Sequence, residues 1–168
     1  MEMKMKIRQM AVALLYKNGK VLFVQRDEHR TLLPGYLVPV GGHIEPGELN
    51  EPAQACVREI YEETGIREEE IDGLRLKYII YRMKDEEVRV QYMFVGDVLT
   101  DRKLVNSDDE ELVWLSSNEL QNKKVTYACY SAVRHFEELG IQDDEIYLGT
   151  MNRLDGELHM SWAMLQDG

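Results

Sequence analysis

The chain has 168 residues, of which 44% are apolar and 30% are charged, with 31 acidic residues against 20 basic ones. The formal net charge of −11 argues against a nucleic-acid polymer as partner, because binding to a phosphate backbone depends on lysine and arginine. Its apolar runs are too short to span a membrane, and two cysteines are too few for a disulfide framework. We expect one domain over residues 1–168.

The first two strands are predicted on either side of Asn18-Gly19, a dipeptide suited to a tight hairpin turn. They cover residues 8–16 and 20–25. The first run has no small-residue cleavage site after it, so we interpret it as a strand and expect a cytoplasmic protein. A looser stretch with Pro34-Gly35 then leads to an extended run at 36–40.

A helix is predicted over residues 51–64. Asn50 or Glu51 would be its N-cap, Pro52 suits the first turn, and Gly65 stands where a helix usually ends. Four residues at helical spacing are expected to pack on a sheet: Ala53, Val57, Ile60 and Thr64.

Three carboxylates share one face of this helix, because Glu59, Glu62 and Glu63 are spaced i, i+3 and i+4. Each like-charge pair at this spacing costs about 0.2–0.5 kcal/mol. The negative end of the helix dipole adds to that cost. A pair of glutamates alone is usually a solvated acidic surface, but the whole stretch 41–66 favours a bound hard cation such as Mg²⁺.

The second half of the chain is predicted to consist mainly of strands. Residues 74–83 and 88–99 form a pair joined by a polar turn, an acidic loop precedes a short strand at 112–115, and Asp155-Gly156 marks a last hairpin. Thr126 is predicted to cap a second helix with one apolar face: Ala132, Val133, Phe136 and Leu139. Two helices on a mostly β chain predict an α+β fold with a mixed sheet between helices.

The stretch that carries the first helix resembles the signature of the Nudix hydrolase family (MutT-like proteins), G-x5-E-x7-R-E-U-x-E-E-x-G-U, where U is aliphatic. The residues at the motif positions are, in order, Gly42, Glu48, Arg58, Glu59, Ile60, Glu62, Glu63, Gly65 and Ile66. The resemblance implies the family's α/β/α sandwich with a mixed sheet between helices. A match of this length at fixed spacing is far more specific than a lone glycine motif.

The chain departs from this signature at one place. Nine residues separate Glu48 from Arg58, where the family pattern has seven. We expect the two extra residues in the segment 49–51, before the helix, so that the helical carboxylates keep their register. The departure leaves open whether the role of Glu48 passes to Glu45 or Glu51.

The resemblance implies hydrolysis of a nucleoside diphosphate linked to another group, with Mg²⁺ or Mn²⁺ as cofactor. The implied metal ligands are the carbonyl of Gly41 and the carboxylates of Glu59, Glu62 and Glu63. Arg58 is implied to orient these carboxylates, and Glu48 completes the catalytic set.

The general base is implied to be a glutamate of the motif or an acidic residue of a later loop, where the candidates are Asp109, Glu110 and Glu111. A solvated loop is the alternative for these three. Weaker candidates for substrate binding are Arg26, His43 and Tyr81. Their alternatives are a strand-end ion pair, a surface hydrogen bond and core packing, respectively.

Nucleoside triphosphates, including oxidised ones such as 8-oxo-dGTP, are the favoured substrates, because the compact size and the pattern over 110–120 resemble pyrophosphatases of that kind. Family members that act on ADP-ribose typically have a proline after the motif, and no proline follows Pro52 here, so the resemblance disfavours ADP-ribose. Nucleotide sugars stay an alternative, and Tyr81 keeps dinucleoside polyphosphates open. A non-catalytic ligand sensor is a further alternative, disfavoured by the intact carboxylates. We expect a small-molecule nucleotide as partner, no membrane, and a homodimer by analogy with the family.

Overall fold

The structure is a computed structural model and describes residues 5–106 and 110–168. Within these residues the chain forms eight strands, two α-helices and four short 3-10 turns. In chain order the strands and α-helices are β1 (Lys6–Lys17), β2 (Lys20–Gln25), β3 (Leu37–His43), α1 (Pro52–Thr64), β4 (Ile71–Lys84), β5 (Glu87–Val98), β6 (Glu111–Leu115), α2 (Tyr127–Glu138), β7 (Tyr147–Leu154) and β8 (Glu157–Met164).

All eight strands belong to one sheet, in the order β6-β2-β3-β1-β5-β4-β7-β8. The pairs β1–β5 and β4–β7 are parallel, and the other neighbours are antiparallel. Helix α1 packs on one face of the sheet and α2 on the other. This arrangement confirms the predicted α+β fold with a mixed sheet between helices.

Two-residue turns connect three of the hairpins. In each turn both residues have positive φ, which is the type I′ geometry that matches the twist of the strands. The values are 51° and 74° for Asn18-Gly19, 50° and 62° for Asp85-Glu86, and 51° and 83° for Asp155-Gly156. The turns predicted at Asn18-Gly19 and Asp155-Gly156 are therefore confirmed.

The central strand β1 contributes to two hydrophobic cores. Val12, Leu14 and Tyr16 lie in the core under α2, and the alternate residues Ala11, Ala13 and Leu15 lie in the core under α1. A strand covered on both faces reads as a continuous apolar run, which explains the sequence MAVALLY.

Two details of the predicted helical faces are wrong. The buried side of α1 consists of Ala55, Cys56, Ile60 and Thr64. This buried side is shifted towards Glu59 and Glu63 relative to the predicted face. Val57 therefore lies at its border, and Ala53 in the first turn is exposed. In α2 the other three predicted residues are buried, but Leu139 is 57% exposed, because the helix ends at Glu138 and its backbone leaves helical geometry.

In the part of the chain that the structure describes, no helix has the length and apolar character required to cross a membrane.

Candidate active site

The end of β3 and helix α1 approach each other closely at two glycines. Gly42 pairs with Ala11 and faces α1, and a Cβ atom placed on it would lie 2.6 Å from the Glu59 carboxylate. Gly41 has a φ of +152°, and a Cβ there would collide with the backbone of Ala11 and Val12. The missing side chains therefore let a carboxylate of the helix touch the strand.

Arg58 is the centre of the site. Its Nε and Nη2 atoms each donate to the Glu48 carboxylate at 2.9 Å, which is the bidentate geometry that makes such pairs strong. Its Nη1 atom donates to Glu59 at 2.9 Å and to Glu62 at 3.1 Å. Nη2 also donates to the carbonyl of His43 at 3.2 Å. One guanidinium thus joins the loop before α1, the helix itself and the end of β3.

Glu48 keeps its place beside Arg58 despite the longer spacing. It is 9% exposed, and the backbone N–H of Glu45 donates to it at 3.1 Å. The hydrogen bonds from Arg58 lower the pKa of Glu48, so it is ionised at neutral pH. The Glu45 carboxylate lies 3.8 Å from Arg58 and is mostly exposed, and Glu51 is the exposed N-cap residue of α1. The geometry therefore favours Glu48 over Glu45 and Glu51 as the partner of Arg58.

The three helical carboxylates have different surroundings. The Glu59 side chain is 14% exposed, and burial raises its pKa while the hydrogen bond from Arg58 opposes that rise. The Glu62 side chain is 54% exposed. Glu63 accepts a hydrogen bond from the backbone N–H of Gly41 at 3.2 Å. We refer to Glu59, Glu62 and Glu63 as the carboxylate cluster.

The carboxylate cluster fits a divalent cation in its chemistry. Glu59 and Glu62 each give one oxygen to Arg58 and keep the second, and the missing Cβ of Gly42 leaves room beside Glu59. Hard cations bind such oxygens. In residues 5–106 and 110–168 no three acidic, histidine or cysteine side chains are yet grouped as metal ligands. Glu59 and Glu62 would therefore ligate a cation through their second oxygens.

Of the candidate residues of the later loop, Glu110 is engaged elsewhere. Glu110 accepts from Arg30 at 2.8 Å and from the backbone N–H of Asp27 at 3.3 Å, and its side chain is 8% exposed. Glu111 was expected in the loop, but it is the first residue of β6, because β6 pairs with β2 from this position onward. Asp109 lies outside the described residues.

Sheet register separates Glu111 from the carboxylate cluster. Glu111 pairs with Gln25, and Gln25 pairs with Leu37 at the start of β3. Gly41 lies four residues further along β3, which corresponds to about 13 Å of strand. The start of β6 is therefore at a different level of the sheet from the end of β3.

The three weaker candidates are dispersed. Arg26 donates from Nε to the carbonyl of Leu32 at 2.9 Å. His43 pairs with Met10, so its ring lies on the α2 face of the sheet, opposite to α1. Tyr81 is 41% exposed on β4. Among these three, His43 reaches the site, through its backbone carbonyl rather than its imidazole.

A cavity of about 520 Å³ on the α2 face was missed by sequence reasoning. It is formed by segments far apart in sequence, and its polar and aromatic lining includes Tyr36, Arg82, Lys84, Lys123, Tyr127 and Tyr130. One local signal existed. Arg82 and Arg89 are equidistant from the Asp85-Glu86 turn, so a two-residue hairpin places them opposite each other.

Comparison with known proteins supports the resemblance. A model of the NUDIX domain matches residues 5–136. The m7GpppN-mRNA hydrolase NUDT17 of Xenopus laevis is 41% identical over 61 residues, which are 36% of this chain and 20% of that protein. The aligned part thus spans about one fifth of the length of this curated relative.

Solved structures share the fold. The MutT protein from Bacillus halodurans superposes with a TM-score of 0.68 at 20% identity, covering 94% of this chain and 97% of that one. The Ap4A hydrolase of C. elegans superposes with a TM-score of 0.67 at 17% identity, covering 81% of this chain and 99% of that one. At these identities the likeness concerns the fold alone.

Proposed function

Since the chain belongs to the Nudix family of pyrophosphohydrolases, we propose that it hydrolyses nucleoside triphosphates, including oxidised ones, at a pyrophosphate bond. The observation that carries this proposal is the network in which Arg58 holds Glu48, Glu59 and Glu62 against the end of β3. This network brings several carboxylates to one place beside a guanidinium. A surface helix with solvated glutamates would not need the bond to the His43 carbonyl.

Each residue of the network has a proposed task. Arg58 is anchored by its bidentate bond to Glu48, so its Nη1 atom holds Glu59 and Glu62 in a fixed position. The Glu63 carboxylate accepts a hydrogen bond from the backbone N–H of Gly41, which fixes the position of this carboxylate relative to β3. Mg²⁺ or Mn²⁺ held by the carboxylate cluster would neutralise phosphate oxygens and acidify the attacking water.

The contacts of Glu110 bear on the choice of general base. Glu110 is bound to Arg30, and Glu111 begins β6, so we favour a glutamate of the carboxylate cluster over these two. Asp109 stays a candidate.

The tyrosine-lined cavity supports a nucleotide as substrate. Its volume of about 520 Å³ lies within the usual range for small-ligand pockets. Tyr36, Tyr127 and Tyr130 offer faces on which a base can stack, and Arg82 and Lys84 add positive charge. We propose that this cavity receives the base.

We propose that residues 1–168 act as one domain. The NUDIX match ends at residue 136, but β7 pairs in parallel with β4 and continues the same sheet. The last hairpin therefore belongs to the same fold as the active site.

Hydrolysis assays with Mg²⁺ or Mn²⁺ on nucleoside triphosphates, 8-oxo-dGTP, Ap4A and ADP-ribose test the function. We expect pyrophosphate and a nucleoside monophosphate from the triphosphates. Glu63→Gln should lower kcat by about 100-fold or more, the effect of losing one charge-stabilising group. Its thermal stability should be unchanged or higher, because glutamine still accepts from Gly41 and a repulsive charge is gone.

The matched control is Glu69→Gln, which removes an exposed carboxylate from the 3-10 turn Glu68–Glu70. It should retain wild-type kcat. Equal kcat in wild type and Glu63→Gln would remove Glu63 from the mechanism. Tight nucleotide binding with no turnover of any compound would show a ligand sensor instead.

A further inference from the structure

Three arginines on adjacent strands stand side by side on the α2 face of the sheet. Arg8 of β1 pairs with Arg89 of β5, and Arg89 pairs with Arg82 of β4. They share the face of Val12 and Ile80, which belong to the core under α2. We call Arg8, Arg89 and Arg82 the arginine ladder.

The arginine ladder is costly without a ligand, because like charges directly opposite each other destabilise a sheet. Glu87 compensates part of the charge, accepting from Arg8 at 3.2 Å and from Arg89 at 2.9 Å. Three guanidiniums against this carboxylate leave a local charge of about +2. A positive cluster of this kind is unexpected in a protein with a net charge of −11.

Arg82 is the least compensated member of the ladder. Its Nε atom is buried and donates to no partner among residues 5–106 and 110–168. Burial, followed by the charge of Arg89, lowers the pKa of Arg82. A buried donor without an acceptor costs about 1–3 kcal/mol, and a bound anion would remove that cost.

The ladder connects the two parts of the proposed site. At one end, Arg8 Nη1 lies 3.3 Å from the imidazole of His43, whose carbonyl binds Arg58. At the other end, Arg82 lines the tyrosine-lined cavity. Two strand spacings separate Arg8 from Arg82, which is about 10 Å. An extended anion fits this length better than a single phosphate does.

We propose that the arginine ladder binds the polyphosphate chain of the substrate and selects for nucleotides with three or more phosphates. This inference rests on the proposed function. The planar guanidinium fork matches the oxygens of a phosphate in a way that lysine does not, which explains why the row consists of arginine. Because the ladder lies on the opposite face from α1, it adds to the carboxylate cluster and does not duplicate it.

Calorimetric titration with inorganic tripolyphosphate, in EDTA and without divalent cations, tests the ladder separately from catalysis. Wild type is compared with Arg82→Gln and Arg89→Gln. Each variant should weaken binding about tenfold or more, the loss expected for a charged hydrogen bond. Arg102→Gln is the matched control, since Arg102 pairs with Glu70 near Gly65 and should leave binding unchanged.

Thermal unfolding without ligand separates binding from a structural role. Arg82→Gln should keep or raise the wild-type Tm, because it relieves repulsion from Arg89 and leaves no partner unsatisfied among the described residues. Absence of tripolyphosphate binding by wild type, or equal binding by wild type and all variants, would overturn the proposal that the ladder binds polyphosphate. Arg89→Gln removes a hydrogen-bonded partner of Glu87 and could therefore prevent folding. Arg82→Gln breaks no such pair in the described part of the chain, so the test stays decisive with this variant alone.

The two proposals fail in different ways. If the ladder is wrong and the proposed function is right, wild type hydrolyses nucleoside triphosphates with Mg²⁺ but binds no tripolyphosphate in EDTA, or all variants bind it equally. If the proposed function is wrong and the ladder is right, tripolyphosphate binds but no nucleotide is turned over.

Discussion

At the scale of single residues, the site depends on the absence of a Cβ atom at Gly41 and at Gly42. Gly41 has a backbone conformation that L side chains rarely adopt, and its Cβ would meet main-chain atoms that have no freedom to move. The Cβ of Gly42 would meet only the carboxylate of Glu59, the far end of a flexible side chain. Gly41 is therefore required by the fold, whereas Gly42 is required by the site, where it leaves room for the Glu59 carboxylate.

Alanine at each position should separate these purposes. Gly41→Ala should lower the free energy of unfolding by about 1–3 kcal/mol, the usual range for backbone strain. Gly42→Ala should lower it less but reduce kcat, because Glu59 must move away from the strand. Urea unfolding and triphosphate hydrolysis measure the two effects. Equal stability losses in both variants would contradict this assignment.

At the scale of elements, an ion pair between a buried lysine and a partly exposed aspartate connects β4 to the turn before β7. Lys77 is fully buried, and its Nζ atom donates to the Asp143 carboxylate at 2.6 Å and to the Asp143 carbonyl at 2.9 Å. Tyr147 donates to the same carboxylate at 2.7 Å. The hydrogen bonds from Lys77 and then Tyr147 lower the pKa of Asp143 to about 2.

This pair predicts a pH-dependent stability. The folded-state pKa of Asp143 is below its usual value, so its contribution is complete above about pH 4 and is lost as the pH falls towards 2. Asp143→Asn should therefore cost about 3–5 kcal/mol at pH 7, where it leaves Lys77 buried without a counter-charge. The difference from wild type should shrink at pH 2.5.

Urea unfolding at the two pH values measures this difference. Lys77→Met combined with Asp143→Asn is the control, since it removes both charges and should recover much of the loss at pH 7. A stability difference that is the same at both pH values would show that the pair is not the cause.

The elements that the sequence predicted correctly carry local signals. Asn18-Gly19 and Asp155-Gly156 specify their hairpins within two residues, and Gly65 adopts the left-handed conformation expected after α1. The pairing of Arg58 with Glu48 was not predicted, because the longer spacing left open whether Glu45 or Glu51 takes the place of Glu48. The arginine ladder depends instead on which strands are neighbours, and β1 meets β5 from a distant part of the chain. Such register is invisible to local patterns.

At the scale of the whole molecule, the hairpin of β7 and β8 completes one of the two cores. Tyr147 and Met160 are buried in the core under α2, and the Trp162 ring lies 4.9 Å from that of Tyr78. Without this hairpin β4 would become an edge strand with Tyr78 and Ile80 exposed. The fold therefore extends beyond the part that matches the NUDIX domain.

A chain that ends at residue 144 should not fold cooperatively. Each large apolar side chain that loses its burial costs about 1.5–3 kcal/mol, and several such losses exceed a typical stability of about 5–15 kcal/mol. Circular dichroism during thermal unfolding measures the outcome. Removal of residues 166–168, which are exposed, is the control and should leave Tm unchanged. A sharp transition at the wild-type temperature in the shorter chain would refute the prediction.

The parallel pairing of β1 with β5 has a consequence for biosynthesis. β1 is synthesised before β5 and α2, so one of its edges stays uncovered until β5 has been made, and one of its faces until α2 follows. An apolar strand with open hydrogen-bonding groups is a template for aggregation during that interval. The nascent chain is therefore most prone to aggregation until α2 has been made.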